Sequence, residues 1–321
     1  MATMRSVRIH EFGGPEVLAV EEIATPHPMA GEVLVRVHAA GVNPVDYKVR
    51  SGQYPPVGRD RLPVVLGRDI AGEVVESGGG RGDLPAVGDP VYAMLGPDRG
   101  GYADYAVVKS EEVAPKPEGL SDAEAAAVPL AALTAWQGLF DHGGLQPGQR
   151  VLIHGGAGGV GHFAVQFAKA RGAFVATTVS GDDLAFAHEL GADQAVDYKA
   201  DRFEDRVEPV DMVFDLVAGE TQDRSWAVLK PGGILVSTLG RPPEEKARAH
   251  RARGAGYMVQ PNGRQLDEIR RLIEDRQVRP VVGAVLPLKE ASAAHERLER
   301  HRLRGKLVLE VATDGAPAAG A

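Results

Sequence analysis

Residues 150–180, RVLIHGGAGGVGHFAVQFAKARGAFVATTVS, limit what this chain can fold into more than any other stretch. Val151, Leu152 and Ile153 make a short apolar run suited to a buried parallel strand. Glycines follow at 155, 156, 158, 159 and 161. Apolar residues then recur at helical spacing at Phe163, Ala164, Phe167 and Ala168. Gly172 stops that helix, and 173–179 reads as a second strand. Strand, glycine turn, helix and strand within about 30 residues has the size of a βαβ unit. Gly156, Gly158 and Gly161 fit G-x-G-x-x-G. Without Cβ atoms the turn tightens, the backbone approaches a pyrophosphate, and the helix packs close to the strand. Gly159 and Val160 lie inside the same turn, and free N–H groups at the helix start face the anion. With both flanks in place, the stretch predicts a dinucleotide site rather than a glycine turn that only packs a helix on a sheet.

A chain of 321 residues suggests about two domains. The net charge of −8 argues against a general nucleic-acid or membrane-surface role. There is no cysteine, so disulfides, thiolate metal sites and cysteine nucleophiles are excluded. No run reaches transmembrane length and the first residues lack an apolar leader core, so a cytoplasmic location is expected. The tail 312–321 is small and rich in Pro and Gly, and is expected to be disordered.

Ahead of the glycine stretch, 6–9, 18–22, 32–39, 69–76, 90–94 and 102–108 read as short strands of a compact barrel. Ser121 and Glu124 form a capping box before an alanine-rich helix that Pro129 interrupts, with a second helix over 134–140. Beyond 150, strands at 151–154, 173–179, 194–197, 211–216 and 233–239 alternate with helices at 184–190 and 221–229, and 230–233 reads as a turn. That order predicts a doubly wound parallel sheet. The charged stretch 241–253 reads as a solvated loop and helix. Further helices are expected over 265–276, with Leu266, Ile269, Leu272 and Ile273 inward, and over 291–300. A terminal strand is expected over 306–311.

The segments AAGVNPVDYKVRSG (39–52), LGRDIAGEVVESG (66–78), LTAWQGL (133–139), GGAGGVGHFAVQFAK (155–169), LGADQAVDY (190–198), DMVFDLVAGE (211–220), LKPGGILVS (229–237) and RGKLVLEV (304–311) occur in one order along nearly the whole chain. In this the chain resembles the medium-chain dehydrogenase/reductase superfamily, and within it the zinc-free quinone oxidoreductase and alkenal/enone reductase branch. The resemblance implies an α/β molecule. A GroES-like β-barrel catalytic domain would span 1–121 and resume at 287–311, around a Rossmann nucleotide-binding domain at 122–286. It also implies a homodimer acting on a small molecule. Zinc-dependent members carry a cysteine where this chain has Asn43, and a Gly-His-Glu histidine where it reads Gly67-Arg68-Asp69. A catalytic zinc needs about three protein ligands, so no metal is expected. The ten histidines are scattered; His38 and His154 read as structural or surface residues.

In the family, the NPVDYK segment lines the nicotinamide pocket. Asn43, Tyr47 and Lys48 are the catalytic candidates: hydride delivery to an enone leaves an enolate that needs donors or positive charge, and then a proton. Water competes as proton source, a solvated surface lysine is the alternative for Lys48, and Asp46 reads as a turn cap. Thr134 and Lys306 match family positions near the cofactor, with helix packing the alternative for Thr134. Tyr54 and Trp136 are candidates for an apolar wall against a flat substrate, and core packing is their alternative. No acid ends the second strand, where an NAD enzyme typically has one. Ser180 and Tyr198 suit the 2′-phosphate of NADPH, whereas Asp182 and Asp183 either oppose it or simply cap the next helix, and Arg202 or the 241–253 stretch is the candidate source of charge. The expectation is an NADPH-dependent reductase of quinones or α,β-unsaturated carbonyls. A dedicated enoyl reductase of secondary metabolism, or a nucleotide-binding protein without chemistry, is the alternative.

Overall fold

A computed structural model describes residues 2–80, 84–300 and 303–311; the tail 312–321 lies outside the described residues. The first third holds β1 (Thr3–Ile9), β2 (Ala19–Ala24), β3 (Glu32–Val42), helix α1 (Pro44–Arg50), β4 (Val64–Val65), β5 (Asp69–Ser77), β6 (Pro90–Met94), β7 (Tyr105–Lys109) and β8 (Val113–Pro115). β1 pairs with β2 and β4 in a small sheet, and β3, β5, β6, β7 and β8 build the barrel. Val33, Val35 and Val37 alternate along β3 into the barrel core, as a period of two requires.

Ser121 caps α2 (Asp122–Ala126): its hydroxyl accepts from Glu124 N while the Glu124 carboxylate takes Ser121 N at 2.9 Å. Pro129 does not merely interrupt the helical run. It starts α3 (Pro129–Trp136), where a missing N–H costs nothing, and a π-helical turn continues over Gln137–His142. The second half then runs β9 (Arg150–His154), α4 (Gly161–Ala170), β10 (Phe174–Val179), α5 (Leu184–Glu189), β11 (Gln194–Asp197), β12 (Val210–Asp215), α6 (Gly219–Ser225), β13 (Leu229–Ser237), α7 (Glu244–Ala249) and β14 (Arg253–Gly256). These strands form a six-stranded parallel sheet in the order β11-β10-β9-β12-β13-β14. The chain winds outward from β9 and returns to its other side at β12, so the crevice at the C-terminal ends of β9 and β12 is the switch point where such sheets bind ligands. Residues 230–233 are not a turn between elements: they bulge out of β13, so that Met212 opposite pairs with Ile234.

α8 (Gly263–Glu274) turns Leu266, Ile269 and Ile273 inward. The chain then re-enters the barrel through β15 (Val282–Pro287), α9 (Ala291–Arg300) and β16 (Lys306–Glu310). β16 lies between β15, to which it is parallel, and β3, to which it is antiparallel. β15 already belongs to this sheet, ahead of the boundary expected at 287. No helix among the described residues is long and apolar enough to cross a membrane.

Candidate active site

A cavity of about 900 Å³ lies between the barrel and the parallel sheet, and the glycine turn forms one of its walls. The glycines of that turn have different physical reasons. A Cβ on Gly156 would stand 2.1 Å from Thr177 Oγ1, and one on Gly161 2.1 Å from Gly155 O, so the protein itself requires both. Gly156 faces Thr177 rather than the cavity. Gly158 is on the cavity wall, and a Cβ there would meet only Gly155 O at 3.4 Å. Packing therefore leaves Gly158 free to be larger, and the space its missing Cβ opens suits a phosphate brought close to the backbone. Gly159, Val160 and Gly161 line the same wall at the start of α4.

Opposite the turn, the barrel contributes a closed polar cluster. Lys306, carried in by β16, donates to Val42 O at 3.0 Å and to Asn43 Oδ1, and its ammonium lies 3.7 Å from Asp69 Oδ2. Asn43 Nδ2 donates to the same Asp69 oxygen at 2.8 Å, and Leu130 N donates to Asp69 Oδ1 at 2.7 Å. Asn43 is thus held from both ends of its amide, with one N–H left to offer. Burial pushes the Asp69 carboxyl up and the Lys306 ammonium down, and each opposes the other's shift by its charge. Asp46 does act as the cap its position suggests, accepting from Asn43 N at 2.7 Å, and it also accepts from Tyr102 OH at 3.1 Å.

Tyr54, Lys48 and Arg68 also line the cavity, with Lys48 half-buried. Tyr54 OH donates to Met258 Sδ at 3.4 Å. Thr134 lies on the wall, but its hydroxyl donates to Leu130 O at 2.6 Å within its own helix. Two expectations are corrected. Trp136 does not line the cavity: it is buried, edge-on to Phe140 and Phe167 at centroid distances of 4.9 and 5.5 Å, because α3 turns that face to α4. Tyr47 is also off the wall. It sits half-buried on α1 near Glu299, and burial first and then that negative charge raise its phenol.

The models of two protein families match this chain: an alcohol dehydrogenase GroES-like domain over residues 29–118 and a zinc-binding dehydrogenase over 190–309. An NADPH-dependent alkenal/one oxidoreductase of Arabidopsis thaliana is 36% identical, over 93% of this chain and 77% of that protein. The solved quinone oxidoreductase from Coxiella burnetii superposes with a TM-score of 0.88 at 37% identity, covering 97% of this chain and 100% of that one. The chain belongs to the medium-chain dehydrogenase/reductase superfamily. A solved NAD-dependent alcohol dehydrogenase also superposes at 0.88, with 34% identity over 96% of this chain and 100% of that one. The fold of the superfamily thus spans both chemistries, and the residues of the site must separate them.

In this medium-chain dehydrogenase/reductase, two positions where zinc-dependent members place ligands hold Asn43 and Arg68. The Asn43 amide is bound to Lys306 and Asp69, and a guanidinium repels a metal ion. Among the described residues, no group of three or more His, Cys, Asp or Glu is placed to hold one. His154, bonded to Thr178 and Ser225 hydroxyls at 3.0 and 2.9 Å, is pushed down to about 4 by burial, which makes it a neutral structural residue. Neither position offers the imidazole or thiolate that a zinc ligand set uses.

Ser180 stands at the far end of the cavity. Its hydroxyl donates to Asp183 Oδ2 at 2.7 Å, and Asp183 is itself paired with Arg304, which also donates to Asp182 O at 2.5 Å. A basic residue, Arg304, thus stands near this serine, on the segment leading into β16. Arg202 instead pairs at the surface with Glu204 at 2.9 Å. Ser180 and Tyr198 both line the cavity. Arg304 escaped sequence reading because it stands more than a hundred residues from Ser180; only the fold brings them together.

Proposed function

We propose that this oxidoreductase is an NADPH-dependent reductase of quinones or α,β-unsaturated carbonyls that works without zinc. The observation that carries the reading is the shared cavity. A glycine turn with space for a pyrophosphate faces Asn43, Lys48, Arg68 and Lys306, a set rich in donors and cations and lacking metal ligands. The backbone N–H groups from Gly159 to Gly161 would hold the pyrophosphate, and Ser180, Tyr198 and Arg304 the 2′-phosphate. When bound there, the dihydronicotinamide supplies a hydride. Lys306 and Asp69 hold the Asn43 amide in place, and its remaining N–H would serve as a donor to the reacting group. Lys48 or water then delivers the proton. Electron-poor double bonds and quinones suit such a site, because they accept hydride without a Lewis acid.

Stopped-flow oxidation of NADPH with 9,10-phenanthrenequinone, 1,4-naphthoquinone and small enones tests the reading. Turnover that survives metal chelation is expected, and tight NADPH binding with no turnover on any of them would overturn it. Lys48→Ala is expected to lower kcat while leaving NADPH affinity nearly unchanged, and an equal kcat removes Lys48 from the mechanism.

A further inference from the structure

Arg50, Arg68 and Lys306 are the buried arginine and lysine side chains among the described residues. Two of them have carboxylates: Arg50 meets Glu299 at 2.9 Å, and Lys306 lies 3.7 Å from Asp69. Arg68, 6% exposed, has no carboxylate oxygen within 4.0 Å among the described residues. Asp69 beside it turns both oxygens elsewhere, to Leu130 N and Asn43 Nδ2. The Arg68 guanidinium donates from Nε to Leu95 O at 2.5 Å and from Nη1 toward Tyr54 OH at 3.5 Å, the outer limit of a hydrogen bond. Both acceptors are neutral. A guanidinium has about five N–H donors, so most have no acceptor among the described residues.

The Asp69 charge reaches Arg68 only through space, without an ion-pair contact, and is shared with Lys306; a buried cation so weakly compensated is costly, and it persists where it has a task. Arg68 lines the main cavity. With Tyr54 it also lines a smaller one of about 330 Å³, so open space adjoins it where a structural arginine would have a partner. The other cations are less suited to meet an anion. The Lys306 ammonium is held by Val42 O, Asn43 Oδ1 and Asp69, and Lys48 is half-exposed.

We infer that Arg68 is a catalytic residue that binds the carbonyl oxygen of the substrate and stabilises it as negative charge gathers there. The inference rests on the reductase reading above. In the step it serves, a hydride with its electron pair forms a C–H bond at the β-carbon. The C=C pair shifts, the carbonyl becomes an enolate C–O⁻, and the reduced nicotinamide is oxidised. A proton from solvent or Lys48 then adds at the α-carbon and restores C=O. The guanidinium N–H groups that have no acceptor among the described residues would donate to the oxygen at the moment its charge is greatest.

The test uses 4-nitrophenol, whose phenolate resembles the enolate, with the full-length protein and saturating NADP⁺. The wild-type protein is expected to bind the phenolate and lower the probe's apparent pKa by about one unit, read from its visible absorbance. Arg68→Met should abolish that shift and lower kcat on enones by about 10²-fold, with NADPH affinity unchanged. Arg68→Lys should keep part of both. A wild type that does not favour the phenolate overturns the assignment, as does an Arg68→Met variant that keeps the shift and the kcat. If Arg68→Met does not fold, Arg68→Gln replaces it, and a shift equal to that of Arg68→Lys overturns the assignment. An Arg68-dependent shift in a protein that reduces no quinone or enone removes the reductase reading and leaves the anion site standing. Normal turnover in both wild type and Arg68→Met does the reverse.

Discussion

Asp46 and Asp69 are both fully buried carboxyl groups, and their partners set them apart. Both oxygens of Asp69 accept hydrogen bonds, and a lysine stands beside it. Asp46 has its Oδ2 shared by Asn43 N and Tyr102 OH, while its Oδ1 is buried without a partner. Burial, with a further push from the Asp69 charge, raises Asp46 from 3.8 to about 7, against the opposing pull of its hydrogen bonds and Lys306. The folded protein therefore holds this proton more tightly than the unfolded chain. The stability it contributes is complete below about pH 4 and is lost as pH rises through 7. Asp46→Asn keeps an oxygen for both donors and cannot ionise. Chemical denaturation at pH 5 and pH 8 is expected to show a loss of about 1–3 kcal/mol in the wild type that the variant largely lacks. Matching profiles would mean that another group titrates. At this scale the sequence was partly legible. The cap role of Asp46 follows from its place after Asn43-Pro44, a local relation. Its contact with Tyr102 and the closure of the cluster by Lys306 and Asp69 depend on strands that meet only in the fold, so no spacing announces them. Trp136 misled for the same reason: an aromatic on a helix reads alike whether its face meets a cavity or another helix.

The βαβ element at the glycine turn was the most legible, because strand, turn and helix are consecutive and their residues answer to one another directly. Its glycines now separate by role. Gly158→Ala is expected to leave thermal stability nearly unchanged, since the new methyl meets only ordinary contact, and to weaken NADPH binding about tenfold or more. Gly161→Ala drives a Cβ into Gly155 O and is expected to cost about 1–3 kcal/mol of stability. Melting curves and calorimetric titration of both variants check this; equal behaviour would contradict the separation. Elements of weak local character were missed. β14, RGAG, has little side chain to pattern, and β15 alternates between half-buried and exposed positions at the sheet edge. Lys230-Pro231-Gly232-Gly233 carries every mark of a turn, yet the chain resumes the same strand after it because Lys230 anchors on Asp211 at 2.8 Å.

At the scale of the molecule, the pairing of a barrel with a parallel sheet and the return of the chain to the barrel were available through the order of motifs rather than through periodicity. Nothing in the composition of KLVLEV says that it belongs beside residues near 40. That placement makes β16 an interior strand of the barrel, flanked by β15 and β3. A chain ending at Gly305 keeps the whole parallel sheet but leaves one side of β3 open over 39–42, and it removes Lys306 from Asp69. It is expected to be largely insoluble, or to bind the dye ANS, while the intact chain does neither. A soluble, cooperatively melting truncation would show that β16 is dispensable.

The same placement orders events during synthesis. Between Val42 and Lys306 lie 264 residues of sequence separation. At a translation rate of roughly 5–20 residues per second, β3 waits on the order of 10–50 s for its neighbour to leave the ribosome. The parallel sheet is fully synthesised within that interval, while the barrel that must close over it stands open. The nascent protein therefore has its glycine turn before Lys306 stands opposite it, and the 39–42 edge of β3 is unpaired for as long as that gap lasts.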